Sequence, residues 1–231
     1  MRNVAESKDL VYLGRDPLNA EVRVERIRGL ITPPGTHYVR DHFAIPAGQR
    51  RIAIEGAVAS PYSVSVAELR ALPSRTLTVT LECAGNGRAY LDPPAPGEQW
   101  HLGAVGTAEW TGVPLHAVLE RARPRTSAVE VLFVGADSGM QQGVGRVIAF
   151  ERSLPLADAL QDDVLLAYAM NGDAIPPEHG APVRLRVESQ LGFKMVKWIE
   201  RIELIEDYRR IGLGQGGWRE DHMFYSPAVA I

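Results

Sequence analysis

The chain of 231 residues contains one cysteine. That count excludes an internal disulfide, a Cys-rich zinc site, a four-cysteine iron–sulfur cluster and a C-x-x-C-H haem attachment. Redox chemistry here must use a cofactor with one protein thiolate, or none. Long apolar runs are also missing: none approaches the ~20 residues of a membrane span. Met1 to Leu10 is too polar for a secretory apolar segment, so the expected location is cytoplasmic, or periplasmic if a leader has been removed. Charge of one sign is lacking as well. Net charge is −3, and the basic pairs Arg50-Arg51 and Arg209-Arg210 stand alone, which speaks against nucleic-acid binding. A hydrophobic content of 45% with 23% charged residues is ordinary for a globular chain with a sizeable core. No repeat, low-complexity block or linker divides it.

What is present centres on Thr76 to Arg88, T-L-T-V-T-L-E-C-A-G-N-G-R. Polar and apolar residues alternate through Leu81, the period of a half-buried strand. The strand delivers Cys83 to a turn of small residues. Gly85 and Gly87 let backbone N–H groups approach a ligand, and Arg88 adds a fixed charge. A guanidinium beside a thiol favours the thiolate, the form that attacks or binds metal. Free cysteine is also commonly inert core, so this turn alone decides nothing.

Around it the pattern predicts many short strands and few helices. Residues 1–35 read as an irregular arm, and 36–231 as one domain. Strands are expected at Arg51–Gly56, Val129–Val134, Val164–Met170, Val183–Val187 and Ile199–Ile205. Ser65 and Glu68 form a capping box for a helix over Val66–Leu72. Pro114 marks a second helix start, with Leu115, Val118 and Leu119 on its apolar face. Ser153 is a candidate cap for a third helix carrying Leu156, Ala159 and Leu160. Gly135 to Gly139 reads as a polar turn, Asn171-Gly172 as a hairpin turn, and 92–98 and 176–182 as loops. Trp100 and Trp110 flank a glycine-rich stretch and fit either pocket wall or plain core. A glycine-rich tail spans Gly212 to Gly217. The fold class is α+β, a single mixed domain.

Cys83, His42, His179, Arg40, Arg88, Arg184, Asp137 and Lys197 all fall at strand ends or in loops, where functional groups concentrate. The excess of cations points to an anionic ligand at a thiolate site. Two chemistries fit. A metal-free thiol hydrolase would use Cys83 as nucleophile, His42 or His179 as base and Asp137 to orient it. A metal–cofactor enzyme would use Cys83 as a soft ligand and the cations to hold a cofactor phosphate. A non-catalytic binding module is the third reading.

Several blocks, in order, resemble the molybdenum-cofactor domain of the sulfite oxidase family, which includes assimilatory nitrate reductases and compact bacterial relatives. The blocks are Tyr38 to Phe43 with Ile45-Pro46; Thr78 to Arg88; Trp100, Gly103-Ala104 and Trp110; Phe133 to Asp137; Leu165 to Tyr168 with Met170-Asn171-Gly172; His179-Gly180 with Pro182-Val183-Arg184; and Gly192 with Val196-Lys197-Trp198. The resemblance implies a molybdopterin-binding fold carrying molybdenum on a single pyranopterin. It implies Cys83 as the metal's thiolate ligand, Arg40 and Arg88 in a substrate oxyanion pocket, and Trp100 in its wall. Tyr38, Asp41 and His42 would lie around the pterin or metal. Asp137, His179, Arg184, Met195, Val196 and Lys197 would hold the pterin and its phosphate. The implied activity is oxygen-atom transfer to or from a small oxyanion or S-oxide substrate, with sulfoxide-type reduction as the near alternative.

Three departures qualify the resemblance. Phe150 stands where the family's oxidases carry a pocket tyrosine. Gly87 replaces one of two adjacent arginines. No dimerisation or haem domain follows in this sequence, so an external electron-transfer partner is expected.

Overall fold

The computed structural model describes residues 7–48, 51–141 and 145–207. Arg50, the Arg209-Arg210 pair, the glycine-rich tail and most of the N-terminal segment read for export lie outside the described residues.

In chain order the elements are β1 (Leu10–Arg15), β2 (Leu18–Val22), β3 (Val39–Arg40), β4 (Arg51–Gly56), β5 (Tyr62–Ser65), α1 (Val66–Arg70), β6 (Arg75–Glu82), β7 (Val105–Pro114), α2 (Leu115–Ala122), β8 (Glu130–Gln141), β9 (Arg146–Pro155), α3 (Leu156–Ala159), β10 (Leu165–Met170), β11 (Asp173–Ala174), β12 (Arg184–Arg186) and β13 (Ile199–Ile205). They form three sheets. The first is β1-β2-β3. The second runs β11-β10-β7-β6, with β12 also pairing to β10. The third runs β5-β4-β13-β8-β9. The architecture is α+β, strands with a few short helices.

The alternation through residues 76–81 has a direct cause. Leu77, Val79 and Leu81 point toward an apolar cluster, while Thr76 and Thr80 bond Thr111 and Thr107 across the β6–β7 pair at 2.8 Å. Other local signals act as read. Ser65 caps α1 through the Glu68 N–H, and Glu68 answers on the Ser65 N–H at 2.7 Å. Asn171 and Gly172 both take positive φ, the backbone a two-residue hairpin turn needs between β10 and β11.

The larger core lies between the two five-stranded sheets and α2. Val113, Leu115, Leu119, Phe133, Leu166, Leu185 and Ile202 meet there. A smaller cluster of Tyr38, Leu81, Trp100, Trp110, Met170 and Met195 lies under Cys83. Burying large aromatics there makes a stiff floor.

Three expectations are corrected. The first residues are not an irregular arm: β1 and β2 form an antiparallel hairpin, and β2 pairs β3 through Asn19–Arg40 and Ala20–Val39. Buried Glu21 ties this hairpin to the rest, accepting from the N–H groups of His101 and Gly103 and pairing the His101 ring at 2.7 Å. Ser153 does not cap α3. It sits in β9 opposite Leu132, because strand pairing continues to Pro155, which takes the cap position. Gly135 to Gly139 is no turn either. β8 runs through it with a break in register between Val134 and Ser138, a bulge that turns Asp137 out of the ladder.

Candidate active site

β6 ends at Glu82, and Cys83 opens the loop that follows. The Cys83 N–H bonds Ala104 O at 2.9 Å, and Asn86 clasps both sides, donating to Glu82 and accepting from the Ala104 N–H. Asn86 is therefore a brace of the thiol turn. Cys83 faces a cavity of about 260 Å³.

Arg88 reaches into the same cavity between two glycines. A Cβ on Gly85 would stand 2.6 Å from its guanidinium, and one on Gly97 2.5 Å. Glycine at both places leaves the slot that the arginine fills, with Glu98 O accepting from Nη1 at 3.1 Å. Across the cavity, Arg40 at the end of β3 is held by Asn19 at 3.2 Å and by the Asp41 carbonyl, with His42 Nδ1 at 3.4 Å from Nη2. The hairpin thus positions one of the two candidate substrate arginines.

Arg184 is buried, and its described hydrogen bonds are to carbonyls: His179 at 2.9 Å, Met195 at 3.4 Å and Leu185 at 3.5 Å. It also lies 4.9 Å over the Trp110 ring. Burial lowers its pKa to about 10, which leaves it cationic at neutral pH. Lys197 pairs with Asp41, donates to Glu178 O at 2.9 Å and lies 4.4 Å over Trp198. A buried charge held by neutral carbonyls is costly unless an anion compensates it.

Of the residues expected at the site, Tyr38, Arg40, His42, Cys83, Arg88, Trp100, Asp137, His179, Arg184, Met195 and Lys197 line this one cavity. Asp41 and Val196 do not. Asp41 is wholly buried behind the wall as the anchor of Lys197, and Val196 packs in the larger core with its carbonyl taken by the Leu185 N–H. His37, Arg152, Glu178 and Phe193 also line the cavity and were not anticipated. His37 adjoins the Tyr38 block and could have been found by extending it. Arg152 lies outside every motif block.

Ionisation differs from the sequence expectation at the thiol. Burial pushes Cys83 up, and the Gly85 N–H and the Arg40 and Arg88 guanidiniums only partly offset it. The cations do not by themselves win against burial. Asp137 rises from 3.8 to about 6, chiefly by burial, and its Oδ1 has no hydrogen-bond partner among the described residues. His37 falls to about 4, and His179 falls well below its ordinary value, both by burial. Both imidazoles are therefore neutral near pH 7. His179 is committed as well, with Nε2 3.0 Å from Pro34 O.

Arg40, Arg88, Arg152, Arg184 and Lys197 line the cavity against Glu98, Asp137 and Glu178. The positive excess suits an anionic ligand. Among the described residues no three His, Cys, Asp or Glu groups converge as a metal site, so a metal at Cys83 would bring most of its ligands with it.

A family profile described as the oxidoreductase molybdopterin binding domain matches residues 42–210. The chain belongs to that family. Its cofactor is accordingly Mo-molybdopterin, and the domain is of the family to which the sulfite oxidase and nitrate reductase molybdenum domains are similar. The NADH nitrate reductase of Lotus japonicus is 35% identical over 216 residues, covering 88% of this chain and 24% of the relative. Mitochondrial sulfite oxidase of Rattus norvegicus is 36% identical over 227 residues, covering 92% and 39%. The sulfane dehydrogenase SoxCD of Paracoccus pantotrophus superposes with a TM-score of 0.71 at 28% identity, over 90% of this chain and 50% of that one. The chain thus spans well under half of these two curated relatives' length. Among the described residues no helix is long and apolar enough to cross a membrane.

Proposed function

We propose that this chain transfers an oxygen atom to or from a small oxyanion or S-oxide substrate, with Cys83 as the protein's ligand to molybdenum. The observation that carries the reading is the placement of the only thiol in a cavity lined by five cations. Bound molybdenum would supply the two-electron centre for the exchange. The chain's own residues would supply position and charge.

Arg184 and Lys197, with His179, Asp137 and Met195 beside them, would hold the pterin and its phosphate. The buried guanidinium of Arg184 and the Asp137 Oδ1, which has no partner among the described residues, are groups such a ligand would satisfy. His37 and His179, kept neutral by burial, would donate or accept hydrogen bonds without adding charge. Arg40 and Arg88 would grip the substrate anion, with Trp100 and Tyr38 closing the wall and His42 bracing Arg40. Metal binding to Cys83 would release the thiol proton that burial retains. A separate redox partner or domain would exchange the electrons.

Sulfoxide-type reduction is the second reading, and Phe150 favours it. Its ring lines the cavity where the family's oxidases are expected to carry a hydroxyl. The hydrolase reading loses support, because burial raises the thiol and commits His179 elsewhere.

The test is molybdenum and pterin content per chain, on protein made in a host that synthesises the cofactor. About one of each is expected in the wild type. Cys83→Ser should fold, keep much of the pterin and lose the metal's charge-transfer absorbance and all but ~1% of turnover. Full absorbance and activity in that variant would remove Cys83 from the metal.

A further inference from the structure

One wall of the cavity carries a charge that no motif predicts. Phe150 and Arg152 are two apart in β9, so both side chains leave the same face of the strand. The Arg152 guanidinium carbon stands 4.3 Å from the centre of the Phe150 ring, and Nη1 donates to the Glu151 carbonyl at 2.6 Å. A guanidinium over an aromatic face is a favourable and oriented contact. Phe150 in turn meets the His42 ring, centroids 5.6 Å apart, and His42 lies against Arg40. The wall therefore reads Arg40, His42, Phe150, Arg152: two guanidiniums bracketing two rings. All four line the cavity that holds Cys83. Arg152 also acts electrically inside it, as one of the groups holding down the Asp137 carboxyl.

Two groups that the family resemblance would place at this pocket are absent, a positive charge at Gly87 and a hydroxyl at Phe150. We infer that Arg152 answers both: it is a specificity-determining residue that, at the other end of this wall from Arg40, binds the negative oxygens of the substrate and selects a charged oxyanion over a neutral S-oxide. Phe150 is then the platform that aims it. A planar fork suits an oxyanion better than a lone hydroxyl would. The inference rests on the proposed function and narrows its substrate class.

The experiment uses the cofactor-loaded enzyme with Arg152→Ala and Arg152→Lys, after molybdenum content has been measured. Sulfate is the non-reacting probe, followed by tryptophan fluorescence. Sulfite is the charged substrate and dimethyl sulfoxide the neutral one. Arg152→Ala should weaken sulfate binding and raise the sulfite KM by about tenfold or more, the loss of one charge-assisted contact. Sulfite kcat should stay within about threefold, the signature of lost binding and not of lost chemistry. Molybdenum content should not change, the preference for sulfite over dimethyl sulfoxide in kcat/KM should fall by about the same tenfold, and Arg152→Lys should fall between. Unchanged sulfate affinity and sulfite KM in a fully loaded Arg152→Ala enzyme would overturn the inference. So would loss of molybdenum in both variants, which would make Arg152 part of the cofactor's grip. Wild-type protein that takes up no molybdenum would instead defeat the proposed function, and sulfate binding would still judge Arg152 separately.

Discussion

Replacing Lys197 by methionine separates what holds the site from what the site does. The Lys197 ammonium pairs with Asp41, bonds Glu178 O and lies over Trp198, and Asp41 is wholly buried. Lys197→Met leaves a similar stem and removes the charge, stranding a carboxylate whose Oδ2 already lacks a described partner. Breaking a buried pair from one side costs about 3–5 kcal/mol. At roughly 2–4 °C per kcal/mol for a chain of this size, Tm should fall by about 6–20 °C. Burial already raises the Asp41 carboxyl above 3.8, and Lys197 is the largest influence opposing that rise. Without it the folded pKa climbs further. A raised folded pKa means the fold prefers the protonated acid, so the cost is small near pH 4 and grows as pH rises through the folded pKa. The loss should be larger at pH 8 than at pH 5, read by thermal melts on samples matched for molybdenum. Adding Asp41→Asn should restore the variant to within about 1 kcal/mol of wild type, since replacing both charges avoids the desolvation of each. A single variant that loses under about 1 kcal/mol, or a double variant worse than the single, would refute the pair as the support of this wall.

Two other perturbations follow from the same geometry. Phe150→Tyr should raise sulfite turnover by about 3–10-fold if the hydroxyl reaches the substrate, the worth of about one hydrogen bond; unchanged steady-state kcat with intact metal would show that this wall does not use a hydroxyl. Asp137 is raised from 3.8 to about 6, so wild type should lose about 2 kcal/mol against Asp137→Asn between pH 4 and pH 7, and denaturant titrations that show no pH-dependent gap would exclude the buried carboxylate as the cause.

What could be read from the sequence was whatever is local. The threonine alternation of β6, the Ser65–Glu68 box and the Asn171-Gly172 turn each need only neighbours a few residues apart, so their chemistry is visible in a window. The spaced blocks gave the family and most of the cavity wall for a related reason: each block is the end of one strand or one loop, and the sheets gather those ends. What failed was non-local. Ser153 looks like a cap until the β8 ladder claims it, and Gly135 to Gly139 looks like a turn until β13 pairs Gly135 and β9 pairs Ser138 and Gly139. The early hairpin is not legible because what ties it to the domain lies far off in the chain: Glu21 bonds residues about 80 positions away, and β2 pairs β3 about 20 away.

The thiol failed in another way. Its cations were correctly placed near it, but pairwise reasoning favoured the thiolate, whereas burial sets the direction. Charge can be counted in a sequence and desolvation cannot, because desolvation depends on everything that packs around the group. The same limit explains Arg152. Nothing near it in the chain distinguishes it from a surface arginine; only the Phe150 ring beneath it and the cavity in front give it a direction. Residue types located the chemistry of this pocket, and the packing decides which of its charges a substrate can feel.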